Sequence, residues 1–168
     1  MANAEERLME WLKDAHAAEE QAQTMLTGMA GRLKNYPKLK ARIKKHITET
    51  KRQAKLVKSI RRRNGKTSVI KDTGGKLVAT GQALSGMFVG DEVMKGSLAN
   101  YAFEAMEIAS YRILISAAKY VGDKETARIC ERILAEEQAM AKWLEKNIPA
   151  LTKQYLAREE TPGVVAKH

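Results

Sequence analysis

Aromatic residues are scarce in this chain, at 5% of 168 residues, while Ala, Leu, Ile and Met are plentiful. That balance disfavours a β-sandwich and favours helices packed on helices. A single cysteine, Cys130, excludes an intramolecular disulfide, and its apolar helical surroundings suit a small buried hydrophobe. No apolar run reaches the ~20 residues that a membrane span requires. The opening MANAEERLMEWLKD is amphipathic and starts acidic, unlike a signal peptide, so a cytoplasmic, non-membrane protein is expected. The length suits one domain with a substantial core.

Charge is abundant and unbalanced, with 30 Lys and Arg against 20 Asp and Glu, a formal +10. A basic surface can serve nucleic acid, an anionic membrane or an acidic partner, or can simply be solvated. RRRNGK, residues 61–66, is the dense basic run. It lacks the interleaved aromatics of a single-strand binder and reads more readily as a helix end, with cations at the negative dipole terminus. Nucleic acid is therefore kept as a weakly supported partner.

Apolar periodicity marks four helices. The first runs from about Asn3 to Leu33, with Asn3 and Glu6 spaced as a capping box and Leu8, Ala15, Ala22 and Met29 repeating every seven residues. The second runs from about Pro37 to Arg63, with Leu39, Ile43, Ile47, Val57 and Ile60 on its apolar side. The third runs from about Asp91 to Val121 and the fourth from about Asp123 to Asn147, where Pro149 closes or kinks it. Helices one and two are joined tightly, as are three and four. Residues 64–91 form a long connection with a short helix expected over 77–89. Tight, long, tight is the connectivity of a ferritin-like four-helix bundle. The expected division is a bundle over 1–148 and a C-terminal tail over 149–168.

Acidic and imidazole side chains interrupt the faces that should be buried. Glu19 falls inside the stripe of helix one, His46 inside that of helix two with Glu49 beside it at i+3, and Glu137 in the middle of the stripe of helix four. On helix three, the heptad rows Val93, Asn100, Glu107, Leu114 and Ser97, Glu104, Tyr111, Ala118 put two carboxylates on one face. Charges in a core must be paired or bound to a cation. Glu and His projecting inward from four helices are how bundle proteins hold two metal ions. The candidate ligands are Glu19, His46, Glu49, Glu104, Glu107 and Glu137, and such a set suits iron or manganese, with zinc as an alternative. The usual pattern of such sites is Glu-x-x-His on two helices. Here the order is reversed in His46-x-x-Glu49, and Glu104-x-x-Glu107 has no His. His16-x-x-Glu19 offers an extra donor, and Tyr111 reads as a packing residue bonded to a carboxylate.

KDAHAAEEQ on helix one, HITET on helix two, FEAMEIASY on helix three and LAEEQAM on helix four resemble signatures of the YciE/YciF family of bacterial ferritin-like stress proteins. The resemblance extends from about Leu8 to Leu144. It implies a ferritin-like bundle, dimeric and associated with stress responses, without a settled enzymatic activity. It also implies ligands at Glu19, His46, Glu49, Glu104, Glu107 and Glu137. Ala105 stands where many relatives have a His, and Ala141 where an acid is expected. The expected function is metal binding at a di-iron or manganese carboxylate site. If the protein is an enzyme, it is an oxidoreductase acting on peroxide or oxygen. The alternative is a non-enzymatic structural or interaction bundle whose buried acids are satisfied by protein groups, with a basic surface open to nucleic acid.

Overall fold

The computed structural model describes residues 3–64 and 92–166, and all regular structure among them is helical. Helix α1 spans Ala4–Arg32. The Glu6 amide donates to Asn3 Oδ1 at 2.8 Å and the Asn3 amide donates to Glu6 Oε2 at 3.0 Å, so the anticipated capping box satisfies two amides left free at the helix start. Helix α2 spans Pro37–Asn64 and opens on its proline, where the missing amide costs nothing. Helix α3 spans Glu92–Tyr120 and helix α4 spans Lys124–Glu159. Between them Gly122 adopts φ +80°, and Asp123 caps α4 by accepting from the Thr126 amide at 3.0 Å. A left-handed residue followed by an acidic cap turns the chain back within three residues.

Packing follows connectivity, with α1 on α2 and α3 on α4; the two hairpins meet through α1 with α3 and α2 with α4. Leu8 and Leu12 at the start of α1 pack with Val57 and Ile60 late in α2, Leu114 late in α3 and Ile133 early in α4. Leu26 and Met29 pack with Leu39, Ile43, Val93, Leu144 and Leu151 at the other end. Helices α2 and α3 therefore run in the same direction, and residues 65–91 join opposite ends of the bundle. This is the ferritin-like arrangement. The short helix expected over 77–89 lies outside the described residues. Among those residues, no helix is long and apolar enough to cross a membrane.

One boundary differs from expectation. Helix α4 continues through Pro149 for another ten residues, to Glu159. A mid-helix proline removes one hydrogen bond and crowds the preceding turn. The stripe Leu144, Asn147, Leu151, Tyr155 nevertheless continues across it and is buried, so tertiary packing holds the helix together. The Tyr36 hydroxyl donates to the Ala166 carbonyl at 2.7 Å in a buried bond. Beyond residue 149 the chain is buried against the bundle end at Leu151, Tyr155 and Ala166, while residues 159–165 are exposed.

The core is two apolar clusters rather than one. Between them lies a layer of ionisable side chains.

Candidate metal centre

Each helix delivers to this layer from its buried stripe. Glu19 on α1, His46 on α2, Glu104 and Glu107 on α3 and Glu137 on α4 are all at most 3% exposed. Heptad spacing put them there. A residue that shares a row with Ala22 or Ile133 is carried inward whatever its polarity.

His46 is the hub of one half. Its Nε2 lies 3.2 Å from Glu104 Oε1 and 3.4 Å from Glu137 Oε2. Donor atoms of these three side chains lie within 4.8 Å of one another, close enough to hold a metal ion. On the opposite side of the ring, Nδ1 lies 3.0 Å from Glu49 Oε2. Glu49 is in turn 3.2 Å from Arg42 Nη1 and 3.6 Å from Lys45 Nζ, with its side chain 16% exposed. Glu49 therefore meets the nitrogen that faces away from Glu104 and Glu137. With Nδ1–H donating to Glu49, loss of the Nε2 proton would leave Nε2 as the lone pair that faces the layer, as in a carboxylate–histidine–metal arrangement.

The other half has no imidazole. The Tyr111 hydroxyl donates to Glu19 Oε1. Glu104 and Glu107 both lie close enough to Glu137 to favour its ionised form, so Glu137 joins the two halves. Gln53 Nε2 also donates to Glu137, and to Glu136 at 2.9 Å, whose carboxylate is paired with Arg52. His16 is separate: its Nδ1 faces Glu20 at 3.8 Å, and burial, followed by the charges of Arg61 and Lys58, disfavours its charged form.

Electrostatics follow from crowding acids away from water. Burial pushes Glu19 well above the usual carboxylate range, and the neighbouring Glu137 pushes it further. Burial does the same to Glu107, followed by the charge of Glu19. Glu104 is raised to about 8 by burial, against the pull of His46. Burial works against charge on His46 as well, but its bonds to Glu104, Glu137 and Glu49 outweigh it and raise the imidazolium to about 12. Glu137 is held below its ordinary value despite burial, because the nearby His46, and after it Glu104 and Glu107, favour its charged form. Glu49 falls to about 2, since bonds from His46 and Arg42 overcome its partial burial. Burial and the adjacent Glu19 keep Tyr111 firmly protonated.

Protons thus hold the layer together, yet it is incompletely satisfied. Glu19 Oε2, Glu104 Oε2, Glu107 Oε1, Glu137 Oε2 and Gln53 Oε1 are buried without a hydrogen-bond partner among the described residues. Native cores rarely leave so many acceptors orphaned in one place, and a position built to hold an ion is a standard cause. The chemistry of the donor set agrees, being carboxylate oxygen with one imidazole nitrogen. Sequence reasoning did not count Gln53, Arg42 or Asn100 among the site residues. Gln53 lies one heptad beyond His46, and both polar atoms of buried Asn100, one turn before Glu104, lack partners. Their positions in the apolar rows were the available signal.

The family model described as "Domain of unknown function (DUF892)" matches residues 3–157. The chain belongs to the DUF892 family. A solved structure of protein XCC3681 from Xanthomonas campestris is 39% identical, with 95% of this chain and 100% of that one covered and a TM-score of 0.80. The Escherichia coli stress protein YciF is 20% identical over 92% of this chain and 99% of its own, also with a TM-score of 0.80. The protein YcfI from Rhodopseudomonas palustris is 22% identical, with 86% and 94% covered and a TM-score of 0.74. The last two establish a shared fold. This DUF892 member thus has the YciE/YciF-type bundle that its helix motifs resemble.

Proposed function

We propose that this DUF892 protein binds one or two iron or manganese ions in its carboxylate layer and serves in a stress-related reduction of peroxide or oxygen. The observation that carries the reading is the buried trio His46, Glu104 and Glu137, whose donor atoms lie within 4.8 Å of one another. One ion would take His46 Nε2, Glu104 and Glu137. A second would take Glu19 and Glu107 and share Glu137. Zinc is the alternative occupant. When bound, such ions supply one-electron chemistry inside a water-poor core. The stress role is extended from the description of the E. coli protein YciF as a stress protein.

The chain's own residues have distinct tasks in this reading. Glu49 and Arg42 hold the His46 ring with Nε2 directed at the layer. Tyr111 orients Glu19, and Gln53 orients Glu137. Glu104 and Glu107 carry protons that an arriving cation displaces, so binding is coupled to proton release. The apolar clusters on either side exclude bulk water.

Element analysis of the purified protein tests this reading, with Glu104→Ala and Glu137→Ala as controls. Stoichiometric metal in the wild type and loss of it in both variants is expected. Equal metal content in all three proteins would reject the site.

A further inference from the structure

Helix α2 is unlike the other helices in charge: it carries twelve Lys and Arg and one acid, Glu49. That acid turns to His46, Arg42 and Lys45. At about 100° per residue, Lys44, Lys51, Lys55, Lys58 and Arg62 fall within about 40° of one line along the helix. All five are exposed, and none is in an ion pair among the described residues. They extend over about 27 Å of helix at 1.5 Å per residue. The remaining exposed positions of this face carry cations or small groups, including Ala41, Thr48 and Ser59. On one flank His16 of α1 lies beside Arg61 and Lys58, and the one acid next to it, Glu20, faces His16 at 3.8 Å. On the other, Glu136 of α4 is already held by Arg52.

Like charges stacked along one line repel and weaken the helix, so a bare cationic ridge calls for a counter-charge. We propose that the outer face of α2 is a docking surface for the phosphate backbone of duplex DNA. Charge complementarity selects a polyanion, and the side chains select among polyanions. A membrane-surface helix needs apolar side chains to enter the lipid interface, and none of the exposed large hydrophobics lies on α2. A single-strand binder needs aromatic stacking platforms, and Tyr36, next to α2, is buried. Lysines without amides or paired arginines to read base edges contact phosphate and carry no sequence preference. The inference is independent of metal in the core.

Titration of a short mixed-sequence duplex against the full-length protein, read by fluorescence anisotropy at several salt concentrations, tests it. Five phosphate contacts give a log–log salt slope of about −4.5, a weakening of about 500-fold between about 50 and about 200 mM salt. Lys44→Ala/Lys51→Ala/Lys58→Ala should reduce the slope to about −1.8. Lys142→Ala/Lys146→Ala/Lys153→Ala on α4 removes equal charge from exposed positions elsewhere and should leave the slope within about 1 of wild type. Circular dichroism establishes that both variants are folded. Absence of salt-dependent binding by wild type, an equal loss in both variants, or stronger binding to phosphatidylserine vesicles than to duplex would overturn the proposal.

Discussion

Leu12 and Leu144, in opposite ends of the bundle, are buried as completely as Glu19, His46 and Glu137 in the layer between them. Burial has opposite consequences in the two places. At the ends each leucine transfers apolar surface out of water, which contributes about 1.5–3 kcal/mol apiece. In the layer it raises three acids out of their ionised range and leaves acceptors without donors. The ends stabilise the fold and the middle draws on that stability. The proposed metal site gives such a layer a use that stability does not.

The largest expected effect breaks the comparison from the apolar side. Leu144→Ala should cost about 2–5 kcal/mol in denaturant unfolding, through lost burial and a cavity. Glu107→Leu should do the reverse in metal-free protein, neutral to stabilising, because it removes a buried orphaned oxygen and a protonated acid. If Glu107→Leu destabilises metal-free protein as much as Leu144→Ala, the layer is structural and the contrast fails. Next comes the imidazole. Glu49→Ala should weaken metal affinity about 10–100-fold by freeing the His46 ring, with no ligand lost from the trio. Glu49→Gln still offers an acceptor to Nδ1 and should lose less in isothermal titration. Equal losses in the two variants would make Glu49 a ligand.

The smallest effect is in pH. Glu104 has a folded-state pKa of about 8 against an ordinary 4.5, so its contribution to stability is full below about pH 4.5 and disappears as pH rises through about 8. His46, raised from 6.5 to about 12, acts in the same direction above about pH 6.5. Metal-free protein should therefore melt at lower temperature at pH 8 than at pH 5. A change of about 1 kcal/mol corresponds to about 2–4 °C in a chain of this size. Saturating metal should reverse the trend, because ligation requires the deprotonated layer. A melting temperature that rises with pH in the metal-free protein would contradict a layer held together by protons.

Much of this was legible in the residues. Asn3 with Glu6, Pro37, and Gly122 with Asp123 fixed helix boundaries through local chemistry that acts within one turn. Glu19, His46, Glu104, Glu107 and Glu137 announced their burial by sharing rows with aliphatic residues. At Pro149 the local rule about a missing amide allowed either a stop or a kink, and Leu151 and Tyr155 packing beyond it decided that the helix continues. The face that Glu49 presents to His46 was not legible either. A spacing of three says that two side chains can meet, but not which ring nitrogen is used. That choice depends on Arg42, a turn away, and on Glu104 and Glu137 from other helices.

The sequence by itself determined four amphipathic helices, their order, and the burial of a carboxylate set with one histidine. These follow from periodicity and capping, which involve neighbours along the chain. Only the tertiary structure decided that the set divides into an imidazole half and a tyrosine half joined at Glu137, and that Glu49 lies behind His46 rather than among the facing carboxylates. Such features depend on how rows from different helices interlock, and the spacing within a single helix does not contain that information.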